Sequence, residues 1–323
     1  MLVSVLLFAV GLVLLIKGGD WFVDGATGIA KRFNLPDIVV GATVVSIGTT
    51  LPEVMVSTTG ALAGSGAMAY GNAIGSIICN TSLIAAISIA VNPGPVNVKS
   101  MKTPAVFFFA SAAMYCLAAY GLGTFPRWLG FVMLGVFVVY MVLTVRNGLK
   151  NPDAGEEEEE ESKPKMLWQE LLLLVIGAAV IAVGADLLVD HGQIIAIGLG
   201  VPETVVALLF VALGTSLPEL VTTITSLKKG RASLGVGNVI GANVFNLVLV
   251  SGVAVSLAPF DVPVENTLLN TGLNLSLVFD IPVMLGVMSL MIFPALLKKK
   301  LSRWQGILLL CIYAAFCVCQ FTL

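Results

Sequence analysis

The chain has 323 residues, of which 58% are hydrophobic and only 11% charged, whereas a soluble domain carries about 25% charged residues. So little polar surface cannot cover a water-soluble globule, and this places the chain in the membrane class before any motif is read. The net charge of -2 conceals a local excess, because six of the 19 acids form one run, Glu156 to Glu161; the rest is slightly basic and carries no nucleic-acid-binding patch.

A spanning helix needs roughly 20 mostly apolar residues. Ten segments qualify, near 2–32, 36–62, 70–91, 104–122, 126–146, 167–197, 202–227, 235–257, 275–296 and 303–322. The expected fold is an all-α membrane protein with ten transmembrane helices. The first segment runs into Lys17 and Asp20 with no small-residue cleavage site, which predicts a spanning helix rather than a removed signal peptide. The first and sixth segments are long, so they should tilt strongly or protrude. All five cysteines (Cys79, Cys116, Cys311, Cys317, Cys319) fall inside apolar segments and read as small apolar residues. With the N-terminus outside, 15 of the 17 basic residues fall in cytoplasmic loops; Arg127 lies outside and Lys17 within the first helix. The positive-inside rule therefore predicts both termini outside.

The halves are copies at a constant offset of 166 positions. Gly11 matches Gly177, Asp20 and Asp24 match Asp186 and Asp190, and Pro36 matches Pro202. Gly48-Thr49-Thr50-Leu51-Pro52-Glu53 matches Gly214-Thr215-Ser216-Leu217-Pro218-Glu219. Gly71-Asn72, Gly75 and Asn80 match Gly237-Asn238, Gly241 and Asn246, with no gap from Gly11 to Asn80. Five spans per half is an odd number, so the second copy enters the membrane in the opposite sense. That is an inverted-topology repeat of the kind found in secondary transporters. The expected organisation is a first five-helix repeat at 1–146, an acidic cytoplasmic linker at 147–166 and a second five-helix repeat at 167–323. The linker, with Asn151-Pro152-Asp153 and the six glutamates, is too short to hold a folded regulatory domain.

Glu53 and Glu219 lie deep inside apolar segments. A mid-bilayer carboxylate costs about 2.5–3.5 kcal/mol on insertion scales. No basic residue is placed to compensate it, which leaves a bound cation or a proton. Gly48 and Pro52, like Gly214 and Pro218, interrupt the helical hydrogen-bond ladder. Freed carbonyls, the hydroxyls of Thr49, Thr50, Thr215 and Ser216, and two carboxylates make an all-oxygen set. Such a set suits a hard cation; calcium takes 6–8 oxygens with flexible geometry.

The third and eighth segments carry Gly-Asn-x-x-Gly followed by Asn80 and Asn246, each Asn 27 residues after its Glu. Ser76 and Asn80 are four apart and share a helix face. Asp20, Asp24, Asp186 and Asp190 read as structural or helix-end contacts. His191 reads as a packing residue. An intramembrane enzyme is disfavoured, because the one His lies near a helix end and no paired Asp motif or zinc-ligand cluster accompanies the glutamates.

These residues resemble the two alpha-repeats of the calcium/cation antiporter superfamily, and within it the prokaryotic sodium/calcium exchangers. The Gly-Thr-Ser-Leu-Pro-Glu signature stands at 214–219, and as Gly-Thr-Thr-Leu-Pro-Glu at 48–53. The Gly-Ser-Asn-x-x-Asn/Asp pattern stands as Gly75-Ser76-Ile77-Ile78-Cys79-Asn80 and Gly241-Ala242-Asn243-Val244-Phe245-Asn246. The resemblance implies alternating access and four adjacent cation positions, one for calcium and the others for sodium. By motif, Glu53 and Glu219 would be shared bridging ligands, joined by Thr49, Thr215, Ser76, Asn80 and Asn246 and by backbone carbonyls near Ser46 and Ala212. It also implies a prokaryotic-type plasma membrane location, with Ca2+ and Na+ as transported ions and neither a cofactor nor a protein partner. The chain departs from the pattern at Ile77, which replaces an Asn, and at Ala242, which replaces a hydroxyl residue. It has Asn at both 80 and 246, where relatives often have one Asp. The expected activity is electrogenic exchange of sodium for calcium; a calcium/proton antiporter and a passive cation channel are the alternatives.

Overall fold

The structure, a computed structural model, describes residues 2–150, 166–199, 214–263 and 274–322. The acidic run Glu156–Glu161, Ala212 and most of the first half of the seventh expected helix fall outside the described residues.

The described chain is built of helices. They are α1 (Leu2–Phe33), the bent pair α2a (Asp37–Thr49) and α2b (Leu51–Leu62), α3 (Gly66–Val91), α4 (Val98–Leu122) and α5 (Arg127–Lys150). In the second half they are α6 (Leu167–Gly198), α7 (Leu217–Lys228), α8 (Ala232–Leu257), α9 (Ser276–Lys298) and α10 (Arg303–Thr322). Among the described residues eight helices are long and apolar enough to cross a membrane, and a ninth span results if α2a and α2b count as one. The protein is therefore a polytopic helical membrane protein. As the length of the sequence segments implies, α1 and α6 are the longest helices, at 32 residues each.

Glycine sets how α1 and α6 meet. A Cβ at Gly11 would lie 2.9 Å from the Gly184 carbonyl, and one at Gly18 would lie 3.0 Å from the Gly177 carbonyl. The two helices run antiparallel in near backbone contact, which only small residues permit. Adding 166 to Gly11 and Gly18 gives Gly177 and Gly184, so the offset converts each contact into the other.

Two short ribbons join the halves. Gly94–Pro95 (β1) pairs with Lys300–Leu301 (β4), and Thr124–Phe125 (β2) pairs with Phe260–Asp261 (β3). β3 is β1 displaced by 166.

The apolar interior has two main parts. One joins α3, α4, α5, α8 and α9 around Tyr70, Phe108, Tyr115, Phe125, Phe245 and Met288. The other lies between α1 and α6, with Phe22, Ile181 and Ala185, and reaches Val40, Val45 and Leu234. Large apolar side chains such as Leu2, Val13, Trp128, Val175 and Leu297 stay exposed, as expected where the surrounding solvent is lipid.

Candidate functional site

The chain bends by 46° between α2a and α2b. Thr50 sits at the break with φ -88°, ψ -1°, and its counterpart Ser216 has φ -89°, ψ 4°. Both are in the sparsely populated bridge region. Pro52 and Pro218 follow in the first turn of the next helix, where a missing N–H is tolerated. The glutamate comes next, so Glu53 and Glu219 each occupy the first turn of a 12-residue helix, α2b and α7. The amino-terminal end of a helix carries a partial positive charge. The local sequence thus places a carboxylate at the one end of a helix that favours it.

Glu53 and Glu219 are completely buried. None of their four carboxylate oxygens has a hydrogen-bond partner among the described residues, and no salt bridge reaches them. Of the other expected ligands, Ser46, Thr49, Thr50, Ser76, Ser216, Asn80 and Asn246 are buried, and Thr215 is half-buried. Asn80 and Asn246 have neither side-chain oxygen nor nitrogen bonded, and the Thr50 and Ser216 hydroxyls are also unpartnered. Buried polar atoms are nearly always satisfied in folded proteins. Buried carboxylates and neutral oxygens without protein partners are the donor types that a hard cation takes.

The backbone adds a further regularity. A π-helical turn begins at Asn80 within α3 (Asn80–Ala85), and another begins at Asn246 within α8 (Asn246–Val250). Such bulges displace the local backbone from the i→i−4 ladder and recur at functional sites. A third spans Gly41–Val45, just before Ser46.

Some expected residues bond to protein instead. The Ser46 carbonyl accepts the Thr50 N–H at 3.0 Å, leaving one lone pair to offer an ion. Its hydroxyl contacts the Gly41 carbonyl and the Asn238 carbonyl at 2.9 Å each. Thr49 donates to the Asn238 side-chain oxygen at 3.1 Å, and Thr215 to that of Asn72 at 3.5 Å. Ser76 also reaches the Asn72 oxygen, at 3.5 Å.

Asn72 and Asn238 emerge from the structure as braces. The Asn72 amide nitrogen donates to Ser57 at 2.8 Å and to the Glu53 carbonyl at 3.3 Å. The Asn238 amide nitrogen donates to Thr222 at 3.0 Å. Each amide therefore ties the glutamate-bearing helix of its own half to a threonine of the other half. Their identity at the 166 offset is visible in sequence, but their role is not, since an Asn beside a glycine is equally compatible with packing.

The glycines flanking Asn238 serve close approach. A Cβ on Gly237 would collide with the Ile38 carbonyl, and one on Gly241 with Ala42 backbone and the Ser46 hydroxyl. The α8 backbone thus lies directly against α2a. Asn243, the Asn of the second motif, donates to Thr81 at 2.7 Å; Ile77 stands at its offset position and is buried.

The four aspartates divide. Lys229 reaches Asp24 at 2.7 Å and Asp20 at 3.7 Å, a structural tie between α1 and the α7–α8 turn. Asp186 and Asp190 make no ion pair among the described residues. With Gln193, Thr215, Pro52 and Pro218, they line a cavity of about 910 Å³. His191 is half-buried near the end of α6.

Comparison with known proteins identifies the family. The family profile described as "Sodium/calcium exchanger protein" matches residues 3–146 and 170–322. The chain is 34% identical to an uncharacterized membrane protein of Methanocaldococcus jannaschii, over 95% of this chain and 94% of that one. It is 29% identical to the sodium/calcium exchanger MaX1 of Methanosarcina acetivorans, over 99% of each. A solved structure of the sodium-calcium exchanger NCX_Mj, soaked with Na+ and Sr2+, superposes with a TM-score of 0.78 at 32% identity, covering 97% of both chains.

Proposed function

Because the chain belongs to the sodium/calcium exchanger protein family, we propose that it exchanges Na+ for Ca2+ across a prokaryotic-type plasma membrane, with alternating access to one site around Glu53 and Glu219. The observation that carries this reading is the pair of fully buried carboxylates with no protein partner among the described residues. Two carboxylates offset one Ca2+ or two Na+. The amides of Asn80 and Asn246 and the hydroxyls of Thr50 and Ser216 add neutral oxygens that replace water around a dehydrated ion. Thr49, Thr215, Ser76 and the backbone carbonyls of Ser46 and Ala212 complete the proposed ligand set.

The proposed architecture is ten spans in two inverted five-helix repeats, at 1–146 and 167–323, joined by the linker at 147–166, with both termini outside. Its support is the recurrence of the 166 offset in tertiary contacts. The Gly11–Gly184 and Gly18–Gly177 approaches exchange under it. So do the Thr49–Asn238 and Thr215–Asn72 hydrogen bonds. Two superposable halves provide two equivalent arrangements around a common site, which is what alternating access requires.

The test is isotope flux. Proteoliposomes loaded with Na+ should accumulate Ca2+ only while an outward Na+ gradient exists. Three Na+ per Ca2+ would move one net charge, worth about 2.3 kcal/mol per 100 mV, so a membrane potential should change the rate. Uptake that follows a pH gradient and ignores Na+ would assign proton coupling instead. Single-channel currents without counter-transport would assign a channel.

A further inference from the structure

Six basic side chains converge where α4 begins and α9 turns into α10. The β1–β4 ribbon joins these segments, and the Val96 N–H donates to the Lys299 carbonyl at 3.0 Å. α4 and α9 then run side by side, with Phe109 and Phe293 stacked at 5.0 Å. Lys102 lies near the start of α4, and Lys300 lies just past the end of α9 in β4, whose partner β1 leads into α4. Lys99, Lys298, Lys299 and Arg303 complete the group.

All six are exposed. None forms an ion pair among the described residues, whose four salt bridges use Arg32, Lys229 and Arg231 instead. Arg303 spends its Nε on the Ala90 carbonyl at 2.9 Å, which fixes its guanidinium and leaves the outer nitrogens free to bind.

Two of the charges sit on the wrong end of their helices. α4 begins at Val98 and α10 at Arg303, so Lys99 and Arg303 lie in amino-terminal first turns, where the helix dipole opposes a cation. Two such ends and six cations in one corner create a positive field that an anion would relieve at every point. Along α9 and α10 apolar side chains are exposed: Leu297 is 83% exposed, and Phe293, Ile307 and Leu308 are exposed as well. Lys298 lies over the Trp304 ring at 5.7 Å, and exposed tryptophan favours the headgroup level of a bilayer.

We propose that this corner is a binding site for the phosphate headgroup of an anionic phospholipid, whose acyl chain lies along the exposed faces of α9 and α10. The exposed apolar side chains of α9 and α10 distinguish it from a site for a free anion.

Native mass spectrometry of the full-length protein, titrated with phosphatidylglycerol or phosphatidylcholine, tests this. Wild type should retain phosphatidylglycerol selectively. The double variant Lys102→Gln/Lys300→Gln should bind it about thirtyfold more weakly, the order expected for removing two cations from an anionic surface. Arg146→Gln/Lys150→Gln, which removes the same charge from exposed positions at the end of α5, should bind as wild type does. Lys99→Gln/Lys298→Gln is the second variant should the first fail to fold. Equal losses in the corner and control variants would overturn the proposal in favour of a diffuse charge effect. Full displacement of the lipid by inorganic phosphate would reassign the site to free phosphate. Selective binding that appears only after Glu156–Glu161 are changed to Gln would mean that the acidic linker occupies the corner.

Discussion

The Thr49 hydroxyl donates to the side-chain oxygen of Asn238, 189 positions later in the chain, at 3.1 Å. With it, Ser46 donates to the same residue through its carbonyl and side-chain oxygens, at 2.9 and 3.2 Å, and Asn238 donates onward to Thr222 at 3.0 Å. One amide thereby holds α2a, α7 and α8 together beside Glu219. Every participant but the backbone is a buried neutral side chain, so the brace fixes the ligand-bearing helices without adding charge to the site.

Asn238→Ala takes the side-chain acceptor from the buried Thr49 hydroxyl, while Ser46 keeps the Gly41 carbonyl and the backbone carbonyl of residue 238, and Thr222 keeps the carbonyls of Pro218 and Glu219. The expected loss is roughly 1–3 kcal/mol, seen as a lowered unfolding midpoint in detergent, together with weaker Ca2+ binding. Asn72→Ala should cost less, because Asn72 is half-buried and two of its contacts are 3.5 Å long. Wild-type stability in Asn238→Ala would show that the brace is dispensable.

Glu53→Gln and Glu219→Gln should each abolish Ca2+ transport while folded protein still accumulates in the membrane. Glutamine keeps the shape and one carbonyl but removes the charge that offsets a dehydrated divalent ion. Because both carboxylates are buried without protein partners among the described residues, neutralising either should raise rather than lower the unfolding midpoint in ion-free buffer. Normal flux in either variant would dismiss the site assignment.

Asn246→Leu and Asn246→Asp separate a ligand from a packing residue. Leucine removes an unbonded buried amide and should weaken Ca2+ uptake outright. Aspartate adds a third carboxylate near two others, and neighbouring like charges favour proton uptake. That variant should work near neutral pH and lose Ca2+ uptake on acidification more steeply than wild type. Uptake against pH for the three proteins gives the answer; a leucine variant that matches wild type makes Asn246 a packing residue and weakens the parallel role of Asn80.

Gly237→Ala introduces a Cβ into the Ile38 carbonyl. The obstacle is backbone and cannot rotate away, so overpacking of about 1–3 kcal/mol is expected. The exposed Gly135 has nothing described within 4 Å of its added Cβ. Gly135→Ala should be neutral or gain up to about 1 kcal/mol from helix propensity. Thermal unfolding of both, side by side, measures the difference; equal midpoints would mean that α8 is not pressed against α2a.

Much of the site was legible in the sequence because its signals are local. A proline one residue before a glutamate in an apolar run reads the same at 52–53 and 218–219, and both copies fold into a bridge-region residue, a new helix and a first-turn carboxylate. Asn80 and Asn246 were marked by their constant spacing from those glutamates. The pairing of Lys229 with Asp20 and Asp24 agrees with the reading of these acids as helix-end contacts. Asn72 and Asn238 were matched at the offset but not placed in the site, since their partners come from the other half and no local pattern names them.

The sequence by itself determined the membrane class, from a composition too apolar for water, and the duplicated motifs, from an offset held over 70 positions. It also determined where the helices break, because proline and glycine act on their own backbone. Only the tertiary structure decided which residues meet: Gly11 with Gly184, Thr49 with Asn238, and Val96 before α4 with Lys299 in the α9–α10 turn. Those contacts depend on how deeply one helix enters the surface of another, and that depth is set by side chains on both, far apart in the chain.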